Sequence, residues 1–176
     1  VGQCMIWLLR SVEQNPSPRR NPIGSKRIIL ALLALLPACS LDVKTIEAID
    51  LRNIERSRSP NDVLACPPRF CRAEADFESL IFQISKTELI NQARRLIAAE
   101  PRTELAGSNP TLDQLVFIQR SRLFGFPDTI WVQGISVNLG AALIIYSRSN
   151  YGYWDLGTNR ERVGRWIDKL EKAVKP

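Results

Sequence analysis

Residues Asp113–Ser147 read D-Q-L-V-F-I-Q-R-S-R-L-F-G-F-P-D-T-I-W-V-Q-G-I-S-V-N-L-G-A-A-L-I-I-Y-S, and this stretch decides the fold. Val, Ile, Phe, Trp and Tyr concentrate in three runs, Asp113–Arg122, Thr129–Val137 and Ala141–Ser147, broken at F-G-F-P-D and N-L-G. β-Branched and aromatic residues suit a pleated, half-buried surface, and breaks this short leave no room for a parallel crossover, so the spacing predicts antiparallel strands. On the N-terminal side, F-E-S-L-I-F-Q-I (Phe77–Ile84) puts Leu80, Phe82 and Ile84 on one side at period two, which predicts another strand. Thr103–Leu105 reads as a short strand before the G-S-N-P turn. Between them, Ser85 and Glu88 have capping-box spacing, and Leu89, Ala93, Leu96 and Ile97 recur at helical intervals until Pro101. On the C-terminal side, Thr158 and Glu161 repeat the capping-box spacing, and Val163, Trp166, Ile167, Leu170 and Val174 mark one buried stripe. The order is β-α-β-β-β-β-α. It predicts an α+β fold in which a curved antiparallel sheet of about five strands carries two helices on one face.

Further out, Lys26–Cys39 reads K-R-I-I-L-A-L-L-A-L-L-P-A-C. A basic flank, a short apolar run and a small residue before cysteine follow the order of an exported leader. Pro37 ends the run well short of the roughly 20 apolar residues that a spanning helix needs. The Leu36-Pro37-Ala38-Cys39 tetrad resembles a bacterial lipobox, although Pro37 departs from its preferred residue, so Cys39 is the expected lipidation site. An ordinary cleaved leader ending near Ala38, with Cys39 a bystander, is the alternative. The expected organisation is a signal peptide over 1–38, a tether over 39–62 ending in R-S-R-S-P-N-D, and one domain over 63–176. The expected location is the bacterial cell envelope, with the domain lipid-anchored in the periplasm. The net charge of +6 belongs largely to the leader. Five of the 24 basic residues and one of the 18 acids precede Cys39, leaving 19 against 17, which gives no sign of a nucleic-acid-binding face.

Chemistry is constrained by what is missing. The chain has no histidine, which excludes Ser-His-Asp and Cys-His catalysis and leaves carboxylates, Arg, Lys or Tyr for any reaction. Cys66 and Cys71 frame C-P-P-R-F-C, which in an exported chain reads as a disulfide, with a redox pair or a metal site as alternatives. A dithiol catalyst usually wants C-x-x-C and zinc wants four ligands, so no metal and no cofactor are expected.

The densest polar cluster runs from Tyr146 to Arg162, Y-S-R-S-N-Y-G-Y-W-D-L-G-T-N-R-E-R, between the last strand and the last helix. Its S-R-S-x-x-G-x-x-D-L-G-x-N-R-x-R-V pattern resembles an uncharacterised bacterial family, domain of unknown function 1499. S-P-N-D-V-L-A-C-P-P-R-F-C (Ser59–Cys71) and F-x-F-x-D-x-I-W-V (Phe124–Val132) fit the same resemblance. The resemblance implies a fold and an address but no known activity. Many relatives carry R-S-A-S-R before the glycine, whereas Tyr146 and Asn150 stand at those two arginine positions here.

Two readings of the cluster stay open. In one, Gly152 and Gly157 supply positive φ and Asp155 accepts backbone N–H groups in the turn. In the other, Arg148, Asn159 and Arg162 line an anion site near a helix N-terminus, with Asp128 on the preceding hairpin as a partner for Arg148. The candidate ligand-binding residues are therefore Asp128, Arg148, Asp155, Asn159 and Arg162. Trp131, Trp154, Trp166, Tyr146, Tyr151 and Tyr153 either fill the core or line a groove for a lipid or peptide, and Trp166 lies on the buried stripe. With no catalytic constellation visible, the leading expectation is a non-enzymatic ligand-binding or interaction module of the envelope whose partner is an envelope ligand or protein. The alternative is a hydrolase or transferase acting on a lipid or cell-wall precursor, with Asp128 or Asp155 as acid or base and Arg148 holding an anionic substrate.

Overall fold

A computed structural model describes residues 49–174 of the chain; the expected signal peptide, Cys39 and the tether's first part, 39–48, lie outside the described residues. The elements in chain order are β1 (Asp62–Cys66), β2 (Phe77–Glu78), α1 (Lys86–Ala98), β3 (Thr103–Asn109), β4 (Gln114–Arg120), β5 (Pro127–Val137), β6 (Gly140–Ser149) and α2 (Thr158–Val174). They form the α+β fold that the pattern predicts. The three central runs are β4, β5 and β6, paired antiparallel with Val116 opposite Trp131 and Trp131 opposite Tyr146. β3 is longer than the predicted Thr103–Leu105. It continues through Gly107–Asn109, past a register shift at Leu105/Gly107, to pair with β4. The turn falls instead at Pro110–Leu112, where Asn109 caps a 3₁₀ turn and Asp113 adopts φ +49°.

The sheet has six strands in the order β2-β1-β6-β5-β4-β3 and is mixed: β1 runs antiparallel to β6 but parallel to β2. β1 is the strand the pattern missed. It is only five residues long, D-V-L-A-C between Pro60 and Pro67, and all five are buried, so it has no alternating face to read. The predicted strand Phe77–Ile84 shrinks to two residues and one bridge, Phe82 to Ala141. The reason is competition for an edge. β1 occupies β6 from Ile145 to Arg148, so the later segment reaches β6 only beyond the end of β1, leaving Leu80 and Ile81 exposed. Gly140 permits that approach: its φ is +141°, and a Cβ there would stand 2.0 Å from the Phe82 carbonyl oxygen.

Both helices lie on one face of the sheet. Leu89, Ala93 and Ile97 of α1 and Val163, Trp166 and Leu170 of α2 pack with Val63, Phe117, Ile130, Val132, Leu143 and Ile145. Ser85 caps α1 by accepting the Glu88 N–H at 3.1 Å, as its spacing predicts. The second face is covered by chain N-terminal to β1 and by the β1–β2 connection. Leu51 is fully buried against Leu64, Ile144 and Tyr146, with Ile49, Ile54 and Phe70 at the margin. Residues 49–62 fall within the segment expected as a tether, and this packing carries the folded unit back at least to Ile49. Among the described residues, no helix is long and apolar enough to cross a membrane.

Candidate functional site

The connection from β6 into α2 is organised by one carboxylate. Asp155 accepts the N–H of Gly157 at 3.0 Å and of Asn159 at 2.8 Å, and the Asn159 side-chain amide at 2.7 Å. It satisfies donors that a helix start leaves unpaired, with favourable charge at the positive end of the helix dipole. Asp155 thus does the capping that the Thr158/Glu161 spacing predicts, while Thr158 opens the helix. Gly152 and Gly157 have φ of +85° and +79°, as the turn reading expects, and Leu156 joins them at +58°.

One turn into α2, Asn159 and Arg162 point into the protein, extending the apolar stripe of Val163, Trp166 and Leu170 by one turn of polar residues. Arg162 Nη2 donates to Asp128 at 2.6 Å, and its Nη1 donates to Asn159 Oδ1 at 2.7 Å and Ser147 Oγ at 3.1 Å. The Asn159 amide also donates to Ser149 Oγ and the Asn61 carbonyl. The Arg162 and Asp128 side chains are 3% and 9% exposed. This network ties β5, β6, α2 and the chain before β1 together beneath the helix, with Asp128, Asn159 and Arg162 all buried.

A second network faces outward around β1. Arg56 donates to Asp62 at 2.8 Å and pairs with Asp76 at 2.8 Å, while Asp62 also accepts the Ser57 N–H and the Tyr146 hydroxyl at 2.9 Å each. Asp76 accepts the Leu64 N–H at 2.9 Å and Arg160 at 3.2 Å, and the Arg160 guanidinium lies 4.9 Å over the Phe77 ring. Burial works against the Arg56 charge, but Asp62 and Asp76 outweigh it and hold its pKa above the ordinary value. Burial first, and the Asp62 carboxylate second, push the Tyr146 phenol up to about 12, so it stays a donor. Beside this network opens a cleft of about 570 Å³, lined among others by Arg58, Asp62, Asp76, Tyr153, Trp154 and Arg160.

The five candidate residues therefore divide. Asp128, Asn159 and Arg162 come together with Asp155 in the buried network. Arg148 does not join them: it stands opposite Thr129 and Asp62 on the other face of β6, exposed, and the cation that Asp128 meets is Arg162. Asp155 alone of the five lines the cleft. The aromatics divide as well. Trp166 and Tyr146 are buried and Trp131 stacks on Tyr146 at 5.6 Å, whereas Tyr151, Tyr153 and Trp154 are exposed. The Cys66–Cys71 disulfide is formed, with Cα atoms 6.2 Å apart. Sequence reasoning missed Arg56, Arg58, Asp62, Asp76 and Arg160; the signal for the first three was R-S-R-S-P-N-D, a polar, turn-forming run that reads equally well as a linker, and Asp76 and Arg160 had none.

The cleft joins two of the stretches on which the family resemblance rests, Ser59–Cys71 and Tyr146–Val163. No protein of curated function matches the chain. The family described as "Protein of unknown function (DUF1499)" matches residues 56–170, from Arg56 beside the cleft to Leu170 on the inner face of α2, and the chain belongs to that family.

Proposed function

We propose that the chain is a lipoprotein of the bacterial envelope, held by an acylated Cys39 with its domain in the periplasm, and that the domain binds a ligand or partner rather than catalysing a reaction. Two observations support the address: the basic-flanked, short apolar run before L-P-A-C, and the Cys66–Cys71 bond, which persists in an oxidising compartment. The observation that carries the binding half is the cleft beside α2. Asp62 and Asp76 are paired with Arg56, and Asp76 also with the half-exposed Arg160, while the exposed Arg58 sits with Tyr153 and Trp154 at an open surface. Guanidinium groups beside exposed rings favour an anionic group carried on a flat or apolar body. Asp128 and Asp155, the acids of the hydrolase or transferase reading, are engaged by Arg162 and by the α2 cap, and binding is therefore the better reading.

Mass spectrometry of the native protein extracted in detergent tests both halves. A diacylglyceryl mass on residue 39 is expected, together with a co-purifying anionic molecule that the double variant Arg58→Ala/Arg160→Ala fails to retain. A free, unmodified terminus at residue 39 or 40 removes the lipoprotein half. Identical small-molecule content in the wild type and the double variant removes the cleft.

A further inference from the structure

The end of the sheet where β4 turns into β5 and β6 leaves for α2 carries an apolar cap that adjoins the binding cleft and shares Trp154 with it. Residues 121–126 and 150–157 meet there: Arg120 opposite Pro127 closes the β4–β5 connection, and the Asn150 N–H donates to the Pro127 carbonyl at 3.2 Å. Phe124 stacks on Phe126 at 5.5 Å, and Phe126 meets Tyr151 at 5.7 Å, so the two loops form one patch. Its side chains protrude: Leu123 is 83% exposed, Phe124 74%, Leu156 73% and Trp154 64%. Rings in contact across two loops, with further apolar side chains exposed in the same loops, mark an interaction site.

We propose that this end inserts into the interfacial layer of an anionic lipid bilayer. Three observations select a bilayer over a protein partner. Leu123, Phe124 and Leu156 protrude from loops, each more than 70% exposed, where a fluid surface accepts them without matching their shape. Leu and Phe are mixed with Tyr and Trp, side chains with an apolar body and a polar edge that settle at the lipid–water boundary. The charge is one-sided: Asp155, the single acid of the two loops, is spent on the α2 cap, and neighbouring Asp128 is buried against Arg162. Arg122 in the first loop and Arg58 beside Tyr153 are exposed, without a carboxylate partner among the described residues. A cationic rim around an apolar tip complements an anionic surface and is strengthened by it. This docking does not depend on a lipid at Cys39.

The test uses the mature chain, residues 39–176, carrying Cys39→Ala, so that neither an acyl group nor the apolar leader holds it to lipid. The probe is a vesicle of phosphatidylethanolamine and phosphatidylglycerol brominated near the top of the acyl chains. The emission contributed by Trp154, read as the difference from the Trp154→Phe variant, is expected to fall at least twofold on adding vesicles. Leu123→Ser/Phe124→Ser is expected to abolish that fall with the far-ultraviolet circular dichroism unchanged, because both side chains are exposed. Emission from Trp154 that vesicles leave unchanged overturns the proposal even where the acylated wild type remains membrane-bound, which separates this failure from failure of the anchor. A dimer that the same double variant dissolves, again without quenching, overturns it in favour of a second copy of the chain.

Discussion

Asp128–Arg162 and Asp62–Arg56–Asp76–Arg160 are built from the same two groups, carboxylate and guanidinium, on either side of β6. The first lies beneath α2, with neither side chain more than 9% exposed. The second passes around β1 from the buried Asp62 to an Arg160 that is 58% exposed and ends at an open cleft. The difference teaches how charge divides its labour in this domain. A buried pair whose partners all belong to the fold repays its desolvation only by staying intact, so it fixes geometry. A graded series from buried to exposed keeps its outer members accessible to a ligand while the inner ones hold the wall in place.

The sharpest way to break the comparison is to remove one partner of the buried pair. Arg162→Ala leaves Asp128 beneath the helix without its cation and is expected to cost about 3–5 kcal/mol in urea unfolding. Arg162→Met with Asp128→Leu is expected to recover most of that loss. Arg162 Nε already lacks a partner among the described residues, so the apolar pair gives up a network that is not fully satisfied. A double variant as unstable as the single one would show that the pair contributes more than a filled space. The cap comes next. Asp155→Ala strips the N–H groups of Gly157 and Asn159 of their acceptor and is expected to cost about 1–2 kcal/mol, whereas Asp155→Asn keeps an acceptor and is expected to lose less than half as much.

How far these roles could be read beforehand follows from the kind of pattern each leaves. The β4–β5–β6 core was legible because strands that need rings and branched side chains advertise them, and α2 because Val163, Trp166 and Leu170 repeat at helical spacing. Carrying that stripe back one turn lands on Asn159 and Arg162, so their burial was written in the periodicity, though polar residues at a helix start invite a solvent reading. β1 was not legible: five residues buried on both faces leave neither period two nor sufficient length. The cleft was hidden for the same reason. Arg56, Asp62 and Asp76 acquire meaning only once β1 is inserted between β2 and β6, a pairing across more than 80 residues that no local spacing announces.

The outer network can be sharpened through its inner anchor. The Tyr146 phenol stands at about 12 in the folded protein against about 10 for an unfolded tyrosine, so its contribution to stability is complete below pH 10 and is lost as the pH climbs from 10 toward 12. Tyr146→Phe is expected to cost about 1 kcal/mol at pH 7, the worth of one hydrogen bond to a carboxylate that keeps the Ser57 N–H. The same variant is expected to show a flatter decline of stability than the wild type between pH 10 and 12, measured by denaturant midpoints in that interval. Parallel alkaline declines for the two proteins would mean that burial and Asp62 do not hold the phenol above its ordinary value.

Arg160 should give the smallest effect on stability, and the comparison depends on that. Arg160 and Arg162 are two positions apart on α2, roughly 200° around the helix axis, so one points out where the other points in. Arg160 loses a 3.2 Å contact to Asp76 and a place over Phe77 when truncated, but water replaces both at a side chain more than half exposed. Arg160→Ala is therefore expected to change stability by no more than about 0.5 kcal/mol. Asp76 keeps Arg56 and the Leu64 N–H, so the cleft wall stays in place. If Arg160→Ala proves as destabilising as Arg162→Ala, the two networks are one structural unit and the cleft keeps only Arg58 as an outward-facing cation. If it is neutral in unfolding but lowers retention of a bound anion, then neighbouring arginines on one helix divide between holding the fold and meeting the ligand.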